Sequence, residues 1–215
     1  MEITKLTKRE WLLPLISLAV IVPFMAPYFT LDPARSRIEV GPDGLQFPVL
    51  VAHIATAFVA LVLGFIQLLE PLRRSRPGLH RRLGRGYAMC VLLSGLLALI
   101  VTAYITDFGK AVSFITLSLL WLFTTLLGVR AARRRQWEAH RRWMYRSFAF
   151  TLVAVSGRLL VPLLLLLLYA ALHGFALPGG REAMVEAVLN VNIWAGLVLN
   201  LIVTEWLVLG RSRGA

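Results

Sequence analysis

The sequence predicts an all-α polytopic membrane bundle of about six transmembrane helices, and three observations predict it. Six stretches of about 20 mostly apolar residues recur along the chain, each the length a helix needs to cross a hydrocarbon core of about 30 Å. The composition is 58% hydrophobic and 16% charged, with mean hydropathy +0.73, whereas soluble domains carry about 25% charged residues. Finally, the lysines and arginines fall between the apolar stretches and alternate in density from one side to the other.

In chain order the spans run approximately from Trp11 to Phe29, Phe47 to Leu69, Leu83 to Ile105, Ala111 to Val129, Trp143 to Tyr169 and Ala183 to Leu209. The first has no strongly basic leader and no clear small-residue cleavage site after it, so it reads as a retained span. The connection over residues 30–46 contains Pro and Gly and is too short for a soluble domain, so residues 1–215 read as a single transmembrane domain. In the fifth span, Ser156, Gly157 and Pro162 predict a kink that frees backbone carbonyls beside Arg158.

Orientation follows from charge. Lys and Arg number 18 on the side of the N-terminus, counting Arg85 and Arg146 just inside their spans, against 4 on the other side. The positive-inside rule then places both termini and the two arginine-rich loops in the cytoplasm of an inner membrane. A net charge of +12 would suggest nucleic acid in a soluble protein, but cations arranged this way answer to the bilayer, so no nucleic-acid partner is expected. The lone Cys90 lies in an apolar run and permits neither an intramolecular disulfide nor a cysteine metal cage. No phosphate-binding glycine loop, nucleophile elbow or zinc-spaced cluster is present, which disfavours hydrolases and nucleotide-dependent enzymes.

The segment from His80 to Ala88 resembles that from His140 to Ala149, with one extra residue in the second copy. Each follows a basic loop and opens a span, so spans two and three and spans four and five read as two similar hairpins in parallel orientation. Under that symmetry His80 and His140 lie at equal depth on different helices. This is what axial ligation of a haem b requires, with Arg81 and Arg141 placed to neutralise the propionates. The plainer alternative makes both histidines interfacial residues, with Arg81, Arg82, Arg141 and Arg142 binding anionic lipid.

Within the spans, where an ionised side chain costs at least about 2.5 kcal/mol by insertion scales, His53, Arg158 and Glu205 are further functional candidates. His53 has Ser113 as its counterpart in the second hairpin, which argues against a second haem; a core hydrogen bond or a contact with Arg158 is its simpler role. Arg158 in the outer half of span five needs carbonyls, hydroxyls or a ligand anion. Glu205 has Arg142 or Arg146 as ion-pair candidates, with a proton-relay role as the alternative. Trp121, Trp143, Trp194 and Trp206 read as belt or packing residues.

At LHRRLGRGY, WLFTTLLG and AHRRWMYRSFA, then Arg158 and the final span with Trp194, Asn200 and Glu205, the chain resembles a bacterial membrane-protein family catalogued as domain of unknown function 2306. The resemblance covers approximately Phe47 to Leu209; it implies a polytopic helical protein and brings no activity. A more distant likeness is to the transmembrane b-type cytochromes, four-helix bundles that hold haem between histidines on facing helices. Those typically present two histidine pairs, whereas here span four has none and only His80 and His140 match in depth.

Two functional expectations lead, ahead of a small transporter using Arg158 and Glu205 as an anion and proton pair, against which count the six spans and the lack of an inverted repeat. One is a haem b protein in the inner membrane, ligated by His80 and His140 and serving electron transfer with a redox partner or as a homo-oligomer. The other is a non-enzymatic membrane protein whose basic cytoplasmic face binds anionic lipid or a partner subunit.

Overall fold

The computed structural model describes residues 8–38, 40–42, 44–173 and 180–210. Among these every regular element is helical. Helix α1 (Lys8–Met25) runs into a tight 3-10 turn (Ala26–Thr30), and a loop leads to α2 (Gln46–Leu68). A short helix, α3 (Glu70–Ser75), then turns the chain into α4 (Pro77–Thr102), followed by α5 (Phe108–Arg133), α6 (Trp137–Ser156), α7 (Leu160–Leu172) and α8 (Gly180–Val203). A wider, π-helical turn (Thr204–Leu209) extends α8.

Among the described residues five helices are long and apolar enough to cross a membrane by themselves, and α6 with α7 makes a sixth if the bent pair is counted as one span. The fifth span therefore differs from the single kinked helix expected over 143–169. It starts earlier, at Trp137, and divides at residues 157–159 into two helices bent by 60°. The break has a local cause. A Cβ on Gly157 would meet the carbonyl of Val153 at 2.9 Å, and the Asn192 side-chain amide donates to the Gly157 carbonyl at 2.7 Å, replacing a helical bond. Pro162 in the first turn of α7 has no N–H to give back toward α6.

Helix ends follow their sequences. Asp107 caps α5, accepting from the backbone N–H of Lys110 at 2.7 Å, and Pro77 opens α4 where its missing N–H costs nothing. At the other end of α5 the N–H of Arg135 bonds the Ala132 carbonyl and that of Gln136 bonds the Ala131 carbonyl, a Schellman closure. Arg135 holds the left-handed position at φ 58°, where glycine is usual.

Helices α2 and α4 form one hairpin and α5 and α6 a second; α4 packs on α5 and α2 on α6, closing a four-helix ring with α4 and α6 on one diagonal. Helix α8 packs against α5, α6 and α7, and α1 lies against α2 and α6. Close approach depends on small residues, as expected where lipid supplies no hydrophobic drive between helices. Gly64 lies so tightly against Phe148 that a Cβ would overlap its ring; Gly95 and Gly128 stand in the same relation to Leu122 and Met144. The core is built on Phe65 and Phe148, edge to face at 5.0 Å, with Ala60, Leu61, Val91 and Trp121 around them. Leucines such as Leu163, Leu167 and Leu172 are exposed, as lipid-facing residues are.

Candidate functional site

Helix α4 begins at Pro77 and α6 at Trp137, so His80 and His140 are each the fourth residue of their helix. They stand at the arginine-rich end of the diagonal pair, close enough for the charge of His140 to act on His80. Their surroundings differ. The Nδ1 of His140 lies 2.9 Å from the carbonyl of Gly128 on α5, a contact that fixes the ring. His80 Nδ1 is buried and meets no hydrogen-bond partner among the described residues. The backbone carbonyl of His80 accepts from the Gln67 side chain of α2 at 3.1 Å.

Around this pair lies a collar of guanidinium groups. Arg73 and Arg74 share Glu70, and Arg142 pairs with Glu138 at 3.1 Å. Among the described residues Arg81, Arg82, Arg85, Arg130 and Arg141 have no carboxylate partner; Arg141 stacks on Tyr145 at 5.9 Å.

The donor set suits a bis-imidazole haem in two respects and confines it in a third. His80 presents a buried imidazole nitrogen that has no partner among the described residues, and His140 an imidazole oriented by a carbonyl, as metal-binding histidines usually are. Deeper in the bundle the diagonal is filled by Tyr87, seven residues or about 10 Å along α4 from His80. A macrocycle would be limited to the two turns below it. Among the described residues no three His, Cys, Asp or Glu side chains converge, so a protein-only metal cage is not formed there.

The other titratable groups are dispersed. His53 lies between α2 and α4, with its Nδ1 2.9 Å from both the carbonyl and the hydroxyl of Ser94, while Ser94 Oγ also reaches the His53 carbonyl at 3.1 Å. Arg158 is close enough for its charge to act on His53, but it makes no hydrogen bond to it. Glu205, on the π-helical turn, takes Arg146 of α6 in a two-pronged pair at 2.5 and 3.0 Å, and Arg146 stacks on Trp143 at 4.8 Å. Arg158 stands in the α6–α7 break, donating to the Ala154 carbonyl at 2.7 Å.

Sequence reasoning missed the most extensive polar assembly. Tyr87, Trp121, Thr125, Ser147 and Thr151, all buried, form one network across α4, α5 and α6. Tyr87 Oη lies 2.8 Å from Ser147 Oγ and 3.1 Å from Thr151 Oγ1, Trp121 Nε1 donates to Thr151 Oγ1 at 3.0 Å, and Thr125 meets Ser147 at 2.7 Å. The available signal was the i,i+4 spacing of Trp121 with Thr125 and of Ser147 with Thr151, which puts each pair on one helix face.

These crossings and helix pairings define a multi-pass α-helical membrane protein. Over residues 50–208 the chain matches the model of a family described as "Predicted membrane protein (DUF2306)". The chain belongs to this family. No curated protein and no solved structure matches it significantly.

Proposed function

We propose that this protein holds a haem b at the arginine-rich end of its four-helix ring, with His80 and His140 as axial ligands and Arg81 and Arg141 beside the propionates. The observation that carries the reading is the buried, unpartnered Nδ1 of His80 across the diagonal from an imidazole already fixed by the Gly128 carbonyl. Bound there, haem would supply one-electron chemistry. The protein's own part is to hold two imidazoles on separate helices, to wall the group from the bundle centre with Tyr87, and to counter propionate charge with unpaired guanidiniums. In this reading the arginine-rich end faces the cytoplasm of an inner membrane, as the charge count implies, and a redox partner docks on that side.

The test is the visible spectrum of protein expressed with ample haem and purified in detergent. A Soret band that is lost in both His80→Ala and His140→Ala is the expected result. Absence of the band, or haem content unchanged in both variants, overturns the assignment.

The density of arginines at this end favours a second reading, in which the same collar binds anionic lipid and no cofactor. It expects anionic lipid to co-purify with the wild type and to be lost when Arg81, Arg82, Arg141 and Arg142 are neutralised, with no coloured species in either protein.

A further inference from the structure

At the opposite end of the bundle a second cationic cluster forms from four separate elements. Arg37, in the loop between α1 and α2, stacks on Phe24 of α1 with its guanidinium carbon 4.9 Å from the ring centre. Arg158, in the α6–α7 break, stacks on the same ring at 5.4 Å, so the two cations lie within about 10 Å of each other. The hydroxyl of Tyr28 accepts the backbone N–H of Arg37 at 3.3 Å, and Tyr28 and Arg37 are the electrostatic neighbours of Arg158. Like charges gathered on one phenyl ring repel unless something negative joins them. Among the described residues neither arginine has a carboxylate partner: Arg37 donates to the Pro23 carbonyl at 3.2 Å and Arg158 to the Ala154 carbonyl. Each guanidinium has five N–H donors, and among the described residues one of them is bonded in each arginine. Arg37 also lines an open groove of about 680 Å³ with Ser36, Val40, Phe47 and Pro48, and both arginine side chains are exposed.

Depth points to the kind of anion. Arg158 lies 16 residues beyond Arg142 along α6 and the break, or about 24 Å, which brings it near the far boundary of a hydrocarbon core of about 30 Å. A guanidinium at that level reaches the phosphate layer of the bilayer and matches a phosphate oxyanion with paired N–H groups.

We propose that Arg37 and Arg158 form a phosphate-binding site at the end of the bundle remote from His80 and His140. The ligand chemistry is a phosphate oxyanion, carried either by a phospholipid head group or by free phosphate. The site is independent of the haem assignment, because neither arginine touches the residues of the other end.

The test compares wild type, Arg37→Gln, the double variant Arg37→Gln with Arg158→Gln, and Arg35→Gln. Arg35 belongs to the same loop and is paired with Asp32, so it controls for loss of one charge. Each protein in detergent is titrated with dioleoylphosphatidylglycerol, and retained lipid is counted by native mass spectrometry; thermal unfolding is followed in parallel with inorganic phosphate. The wild type and Arg35→Gln are expected to retain one more lipid than the double variant, with affinity weakened about tenfold or more in the variant. Lipid retention without a phosphate effect assigns the site to head groups. A phosphate-dependent rise in Tm that the double variant lacks, with displacement of lipid, assigns it to free phosphate. Should the double variant fail to fold, Arg37→Gln decides, since among the described residues that exposed loop side chain is held by the Phe24 ring and the Pro23 carbonyl. Equal lipid retention by all four proteins, with no differential response to phosphate, overturns the proposal.

Discussion

The buried hydroxyl network allows two similar-looking deletions to be ranked. One proton assignment satisfies every donor: Thr125 donates to the Trp121 carbonyl, Ser147 to Thr125, Tyr87 to Ser147, Thr151 to the Ser147 carbonyl, and Trp121 Nε1 to Thr151. Tyr87→Phe removes a donor at the edge of this chain, and every remaining N–H and O–H keeps an acceptor. Its cost is that of a membrane hydrogen bond, about 0.6 kcal/mol on average and at most about 1.7. Thr151→Val removes the acceptor on which the buried indole N–H of Trp121 depends. An orphaned buried donor costs about 1–3 kcal/mol even though the substitution nearly conserves shape. Reversible unfolding in mixed micelles with increasing SDS, followed by tryptophan fluorescence, gives both values on one scale. Thr151→Val is expected to be the more destabilising by about 1 kcal/mol, and the double substitution to cost less than the sum of the singles, because the two side chains share the network. Equal costs, or a larger cost for Tyr87→Phe, would refute the donor assignment.

Three further outcomes follow from packing and backbone geometry. Gly64→Ala drives a methyl into Phe148, itself locked against Phe65, and should cost about 1–3 kcal/mol in the same assay. Arg135→Gly relieves a left-handed arginine at the α5 terminus and should stabilise by up to about 1 kcal/mol, whereas Arg135→Val at the same φ of 58° should destabilise. Asn192→Leu strips the Gly157 carbonyl of its donor; spin labels on α6 and α7 should then report a broader distance distribution about the break than in wild type.

The sequence made the crossings legible because hydropathy acts over about 20 residues at once and charge sorts the loops. Helix boundaries were less legible. α4 and α6 begin several residues before their apolar runs, since Arg81, Arg82, Arg141 and Arg142 are helix formers as readily as they are loop cations. The positions of His80 and His140 within a first turn therefore emerged only with the fold. The division of the fifth span had a sequence signal in Ser156, Gly157 and Pro162, but a 60° bend in place of a kink depends on Asn192, 35 residues later, which no local pattern announces. Likewise nothing local to Arg37 marks it, because its relation to Arg158 depends on α1 bringing the Phe24 ring to both. Tyr87, Ser147 and Thr151 drew no notice because hydroxyls in an apolar run cost little in hydropathy, and their meaning is a contact across 60 and 64 residues.

If α6 and α7 cross as one bent span, the break ties the molecule to the thickness of its surroundings. Helix α7 is 13 residues, about 20 Å long, but at 60° it advances only about 10 Å along the direction of α6. A thin bilayer lays its phosphates beside Arg158, whereas a thick one leaves that guanidinium among acyl chains, at a cost that climbs toward about 2.5–3.5 kcal/mol as it nears the midplane. On the proposed contact of Arg158 with phosphate, the elbow would favour the membranes whose surface meets it.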